Sequence, residues 1–146
     1  MTSDDPIELF LDSPAFGVVG ASANPKKYGN RVLKKYLEKE LTVYPVNPSG
    51  ALIEGCPSYR SVLDLPPEVR SISIVTPPGV TEQVARQAVE KGIRNVWMQP
   101  GAESPQAITF LESHGVNVIA DGSCVIVVLS IRFPGRIPRQ TGSPSA

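Results

Sequence analysis

The sequence is poor in the residues that build metal centres and disulfide frameworks. It holds two cysteines, Cys56 and Cys124, and one histidine, His114, in 146 residues. Two cysteines are too few for the framework of a small secreted protein. One histidine excludes a zinc site built on several histidines. We therefore expect neither a disulfide-stapled fold nor a metal centre.

Net charge and long apolar runs are also lacking. The formal net charge is zero, which argues against nucleic acid or an anionic membrane surface as the main partner. No apolar run reaches the roughly 18 residues that a membrane span needs, and the acidic start MTSDDPIELF lacks the basic residues of a signal peptide. We expect a cytoplasmic protein with no nucleic-acid or membrane partner.

What the chain does contain is a regular alternation of short β-prone runs and helical patterns, which implies right-handed crossovers and a parallel sheet. We predict an α/β fold: a Rossmann-like, doubly wound parallel sheet of about five strands in the order 3-2-1-4-5, with the switch point between strands one and four. The predicted strands cover residues 16–20, 41–46, 71–75, 95–98 and 116–119.

The last part of the chain departs from this alternation. Residues 124–131 are strongly apolar and β-prone, which predicts either a buried sixth strand or a strand buried against a partner subunit. The following residues, 132–146, are rich in Pro, Gly, Ser and Arg and contain no acidic residue. We predict a domain over 1–131 and a mobile C-terminal tail over 132–146.

The loop after the first strand is the strongest candidate site. The apolar run Phe16–Val19 breaks at Gly20 into a stretch of small and basic residues, and a helical pattern resumes at about Gly29. A strand, a glycine turn and a helix in this order place backbone N–H groups and a helix N-terminus at one spot, which favours a phosphate or pyrophosphate. Ser22, Lys26, Lys27 and Tyr28 add side-chain donors.

This loop does not carry the dinucleotide fingerprint G-x-G-x-x-G, because Ser22 and Pro25 stand where its later glycines belong. In NAD-binding folds an acidic residue after strand two takes the ribose hydroxyls. Here strand two is followed by Asn47-Pro48-Ser49. A nicotinamide cofactor is therefore disfavoured.

Two further positions each allow two interpretations. Thr76-Pro77-Pro78 is either a simple strand terminator or a stiff apolar wall for a nucleotide base or a pantetheine arm. Cys124 lies beyond strand five, on the same sheet edge as the Gly20 loop, and is either an inert core residue or a thiol at the ligand site.

Taken together, the sequence resembles the small, single-domain CoA-binding protein family, whose domain is similar to the CoA-binding domain of the succinyl-CoA synthetase α subunit. The motifs that carry the resemblance are VVGAS at 18–22, NPKKYGN at 24–30, YPVNP at 44–48, TPP at 76–78, VWMQPGA at 96–102 and Cys124 after strand five. After Cys124 the chain continues with apolar Val125–Leu129, where family members tend to carry polar or acidic residues.

The resemblance implies coenzyme A as the ligand and assigns roles to the matching positions. Gly20, Ala21 and Ser22 would cradle the CoA phosphates, with Lys26, Lys27 and Tyr28 nearby, and Asn47 and Pro48 would border the adenosine. Thr76, Pro77 and Pro78 would line the nucleotide and pantetheine groove, Gln99 and Pro100 would face it, and Cys124 would lie near the thiol end.

Three functions follow as expectations. The first is a non-enzymatic module that binds CoA or an acyl-CoA through the loop after strand one. The second is an NAD(H)-binding oxidoreductase or redox-sensing domain. The third is a subunit that forms a homodimer or joins a catalytic partner subunit through residues 124–131.

Overall fold

The computed structural model describes residues 5–134, in which helices cover both faces of a five-stranded parallel sheet. In chain order the elements are α1 (Pro6–Leu11), β1 (Ala15–Val19), α2 (Tyr28–Glu38), β2 (Val43–Val46), β3 (Leu52–Ile53), β4 (Cys56–Pro57), a 3-10 turn (Val62–Asp64), β5 (Val69–Ile74), α3 (Pro78–Lys91), β6 (Asn95–Met98), α4 (Pro105–Ser113), β7 (Asn117–Ile119) and α5 (Val125–Arg132). The predicted α/β, Rossmann-like class is confirmed.

Several helix ends are set by local side-chain chemistry. The Asp5 carboxylate accepts a 2.9 Å hydrogen bond from the Ile7 N–H and begins α1, while the Ser104 hydroxyl accepts from the Ala107 N–H at 3.2 Å and begins α4. Such caps satisfy N–H groups that have no partner within the helix. Gly92 ends α3 in the left-handed conformation, as a C-terminal glycine does.

The predicted strand order is wrong. The sheet runs β2-β1-β5-β6-β7, which is 2-1-3-4-5 when its five strands are numbered along the chain. The helix between β1 and β2 packs on one face, but the next connection runs over the other face, where Val62 and Leu65 join the core beside α3. Because crossovers are right-handed, a connection on the opposite face moves the chain in the opposite direction along the sheet. The next strand, β5, is therefore added beside β1 rather than beside β2.

This correction moves the switch point of the sheet to β1 and β5. Ligands in such folds bind outside the carboxyl ends of the strands at that point. The loop after β1 therefore lies beside the loop after β5, and the loop after β6, which begins at Gln99, lies one strand further along.

The predicted sixth strand is also wrong, because Val125–Arg132 forms the helix α5. Val125 and Leu129, one turn apart, are fully buried on the sheet face that also holds α1 and α2. The β-prone residues form a helix because these contacts outweigh their modest intrinsic preference for strands.

The predicted tail begins at the end of this helix. Arg132 is the last residue of α5 and pairs with the Glu8 carboxylate of α1. Residues 135–146 of the predicted tail lie outside the described part of the chain. Between residues 5 and 134 no helix has the length and hydropathy of a transmembrane span.

Candidate functional site

The loop between β1 and α2 is built around two glycines. Gly20 has φ +92°, and a Cβ added there would lie 2.0 Å from the Val75 carbonyl oxygen. A Cβ added at Gly29, in the first turn of α2, would lie 2.1 Å from the Gly20 carbonyl oxygen. Only glycine fits either position. The loop is thus pressed between the end of β5 and the start of α2.

Side-chain amides hold the backbone of this loop. Asn47, directly after β2, donates to the Ala21 carbonyl oxygen at 2.8 Å, and Asn30 donates to the Ser22 carbonyl oxygen at 2.8 Å. Because both carbonyls are occupied, two groups that would repel an anion already have partners. Asn47, which the resemblance assigns to the adenosine side of the ligand, supports the loop in this structure. Asn30, fully buried in α2, was not predicted.

The outer part of the loop is electropositive. Lys26 and Lys27 are exposed, and within residues 5–134 neither ammonium group has an ion-pair partner. No acidic residue of α2 stands in its own first turn, and the carboxylate beside the start of that helix, that of Glu54, accepts a 2.9 Å hydrogen bond from the Asn30 side chain. Two free cations beside a helix N-terminus suit a phosphate group.

A cleft opens on one side of this loop and brings predicted residues together. Its volume is about 480 Å³, and we call it the larger cleft. The lining residues are Tyr28, Val75, Thr76, Pro77, Pro100, Gly101 and Ala102. The Thr76 hydroxyl shares a 2.8 Å hydrogen bond with that of Thr81. Pro78 begins α3 and is not among the lining residues.

Behind Tyr28, which lines the larger cleft, three side chains connect the start of α2, the loop after β6 and the residue before α5. The Tyr28 phenol is in hydrogen-bond contact with the Cys124 sulfur and donates to the Gln99 side-chain oxygen at 3.3 Å. The same Gln99 oxygen accepts the Val125 N–H at 2.9 Å, which supports the start of α5. Burial and the contact with Cys124 raise the pKa of Tyr28, so its phenol stays protonated at neutral pH.

Gln99 and Cys124 themselves do not form the wall of the larger cleft. Gln99 is fully buried, and its side-chain nitrogen has no hydrogen-bond partner among the described residues. Cys124 is half-buried, directly before the first residue of α5. The structure thus places the thiol behind Tyr28 and makes Gln99 a support for both.

A second, smaller cavity lies on the other side of Gly20. Its volume is about 170 Å³, and we call it the Arg60 cavity. The residues around it are Val19, Gly20, Val46, Pro48, Arg60, Ser61, Val62, Thr76, Val80, Gln83, Val84 and Gln87. Pro48, which the resemblance assigns to the adenosine side of the ligand, lines this cavity. Arg60 was not among the predicted residues, because an isolated arginine between short elements carries no motif.

The site has recognisable relatives. A family model described as a CoA-binding domain matches residues 15–129. The α subunit of an ADP-forming acetate–CoA ligase II from Pyrococcus furiosus is 35% identical over 91 residues, which cover 62% of this chain and 20% of that subunit. The chain thus spans about one fifth of the length of this curated relative.

Two solved structures match most of the chain. A conserved hypothetical protein from Pyrococcus furiosus is 49% identical, with a TM-score of 0.75, over 78% of this chain and 97% of that one. A hypothetical protein from Pyrococcus horikoshii OT3 is 30% identical, with a TM-score of 0.81, over 92% of this chain and 94% of that one. Both matches span nearly the whole of a small protein, unlike the match to the ligase subunit.

Proposed function

The chain belongs to the CoA-binding domain family, and from that premise we propose that it is a non-enzymatic module that binds coenzyme A or an acyl-CoA. The observation that carries this proposal is the position of the Gly20 loop between two cavities. Gly20 lines the Arg60 cavity, Tyr28 lines the larger cleft, and Thr76 lines both. Coenzyme A has the same layout, with a diphosphate between a nucleoside and a long pantetheine arm.

The parts of the ligand follow from this layout. The diphosphate binds at the Gly20 loop, against Lys26, Lys27 and the N-terminus of α2. The pantetheine arm runs through the larger cleft, along apolar Pro77 and Pro100. Its sulfur, or the thioester of an acyl-CoA, then ends near the Tyr28 phenol and the Cys124 thiol.

The non-enzymatic part of the proposal rests on the surroundings of Cys124, the thiol nearest the proposed thiol end of the ligand among residues 5–134. Rapid acyl transfer by a cysteine depends on a base or a cation close to its sulfur, whereas slow exchange with a disulfide does not. The hydrogen-bonding neighbour of this sulfur is the Tyr28 phenol, whose pKa is raised by burial, so it is a poor base at neutral pH. The module therefore holds the thiol end without activating it for acyl transfer.

A nicotinamide cofactor fits the end of β2 poorly. Asn47 stands where a carboxylate would accept the ribose hydroxyls. Its amide nitrogen is bonded to Ala21 at 2.8 Å, and its oxygen accepts the Ser49 N–H at 2.8 Å. Both groups are thus engaged in holding the loop, and no carboxylate stands at this position to accept the ribose hydroxyls.

A second candidate role is that of a subunit, and the outward face of α5 favours it. Val127 and Ile131 lie one turn apart and are 55% and 67% exposed, so no residue between 5 and 134 covers this apolar strip. We propose that this strip joins a second copy or a catalytic chain. Sedimentation equilibrium tests self-association. A dimer in the wild type that is absent in the double variant Val127→Asp, Ile131→Asp supports the homodimer. A wild type that is already a monomer contradicts the homodimer.

Parallel calorimetric titrations with CoA, NADH and ATP at one ionic strength test the main proposal. We expect saturable binding of CoA with one site per chain, and weaker binding of NADH and ATP. Tighter binding of NADH than of CoA, or no binding of CoA, contradicts it.

A further inference from the structure

The Arg60 cavity has the composition of a nucleoside pocket with a charged rim. Valine side chains form its walls, including Val19, Val46 and Val84, and the polar groups of Ser61 and Gln87 stand among them. Its volume of about 170 Å³ exceeds that of a purine base but not that of a whole nucleoside, so the ribose would lie at its rim. Apolar walls with a few polar groups are typical of a small-molecule site.

The Arg60 guanidinium is held at this cavity by the backbone around Pro48 and Gly50. One of its nitrogens donates to the Pro48 carbonyl oxygen at 2.9 Å. Gly50 has φ +71°, and a Cβ added there would lie 3.0 Å from the central carbon of the guanidinium. The glycine therefore leaves the space in which the arginine head lies.

The charge of Arg60 has no counterion within residues 5–134, where the ion pairs involve other cations. The Pro48 carbonyl uses one of the five N–H donors that a guanidinium carries. The remaining donors of a positioned arginine suit a phosphate, which it can bind through two parallel hydrogen bonds. The rim of the cavity thus offers an unused anion-binding group.

We infer that Arg60 binds the 3′-phosphate on the ribose of coenzyme A and makes the site selective for CoA over nucleotides that lack this phosphate. This inference rests on the proposed function, because a diphosphate at Gly20 is what directs the nucleoside into the adjoining cavity. Dephospho-CoA, ADP and NAD carry the diphosphate and the adenosine but a hydroxyl at this ribose position. The 3′-phosphate is therefore the group that Arg60 would distinguish.

Calorimetric titration of the wild type with CoA and with dephospho-CoA, which differ only in this phosphate, measures the selectivity directly. We expect CoA to bind about tenfold more tightly or better, as a charge-assisted contact implies. Arg60→Gln should bind CoA several-fold more weakly than the wild type, so that most of the preference for CoA is lost. Its affinity for dephospho-CoA should change by less than about threefold. Arg60→Lys, which keeps the charge but not the fork of donors, should retain part of the preference.

Arg70→Gln is the matched control, since Arg70 is an exposed arginine at the amino end of β5, on the opposite edge of the sheet. It should behave as the wild type toward both ligands. Equal affinities of the wild type for CoA and dephospho-CoA overturn the inference and leave the proposed function standing. A preference that persists in Arg60→Gln also overturns it. Failure of both ligands to bind overturns the proposed function, and the inference with it.

Discussion

The phenol of Tyr28 is in hydrogen-bond contact with the sulfur of Cys124, although 96 positions separate the two residues. Tyr28 is the first residue of α2 and Cys124 directly precedes α5. The contact therefore ties together the starts of two helices on one face of the sheet. Because Tyr28 also lines the larger cleft, it connects the thiol to the proposed pantetheine path.

This contact predicts that Cys124 exchanges with CoA disulfide. The Cys124 thiolate attacks one sulfur of that disulfide, a bond forms between Cys124 and one CoA, and the other CoA leaves as its thiolate. Intact mass after incubation should show one CoA adduct in the wild type and in Cys56→Ser, but none in Cys124→Ser. Cys56 is the matched control because it lies in the β3–β4 hairpin. An adduct carried by Cys56, or no adduct, means that Cys124 does not meet the ligand.

Gly20→Ala should destabilise the domain and abolish CoA binding by the molecules that fold. The added Cβ meets the Val75 carbonyl oxygen at 2.0 Å in a backbone with φ +92°, so we expect a loss of at least about 2 kcal/mol in the free energy of unfolding. Gly79→Ala is the control, because nothing lies within 4 Å of its added Cβ and alanine favours the helix by up to about 1 kcal/mol. Urea unfolding measures both. A Gly20→Ala protein that is as stable as the wild type and binds CoA would refute the assignment of this loop.

Lys26→Ala, Lys27→Ala should weaken CoA binding about fivefold or more at low salt, because two exposed cations lose their phosphate partner. The difference from the wild type should shrink at high salt, where exposed charges are screened. Lys34→Ala is the control, an exposed lysine further along α2. Calorimetry at two ionic strengths measures the effect. An unchanged affinity at low salt removes the two lysines from the site.

Tyr36 should make the fold sensitive to alkali. Burial raises the pKa of its phenol above the ordinary 10.0, and the hydrogen bond to Ser73 opposes this shift. The folded state keeps a proton that the unfolded state releases, so the stabilisation is complete below pH 10 and is lost as the pH rises further. The predicted slope is about 1.4 kcal/mol per pH unit. Urea unfolding between pH 8 and 11 should show a shallower decline in Tyr36→Phe than in the wild type. Equal slopes would show that Tyr36 ionises without cost to the fold.

The sequence was sufficient to predict the five strands of the parallel sheet, because short β-prone runs mark them, and the signals that begin and end the helices are equally local. Asp5, Gly92 and Ser104 each act within a few residues of their own position. Strand order, in contrast, is not determined by local sequence signals. It depends on which face the connection before β5 crosses, and that is decided by the burial of Val62 and Leu65 against α3. Likewise, α5 owes its helical form to burial against the sheet, so its β-prone composition misled the prediction.

The candidate site was predictable where one segment carries the chemistry, as in the loop from Gly20 to Tyr28. The supporting residues were not, because their roles arise from contacts between distant segments. Asn30 donates a hydrogen bond to the Ser22 carbonyl oxygen, and Arg60 donates one to the Pro48 carbonyl oxygen. Gly29 has no side chain that would clash with the Gly20 carbonyl oxygen. Of these supporting residues, Gly29 alone carried a signal in the sequence, because a glycine at the start of an amphipathic helix indicates close approach of another backbone segment.

The most direct test of the central claim is the proton–nitrogen NMR spectrum of the ¹⁵N-labelled protein during titration with CoA. The account predicts that the amides of residues 20–24, residues 26–28, Thr76 and Gly101 shift most. It also predicts that Arg70 and Arg94, at the opposite edge of the sheet, shift little. A spectrum that CoA leaves unchanged, or shifts centred away from the Gly20 loop, would contradict it.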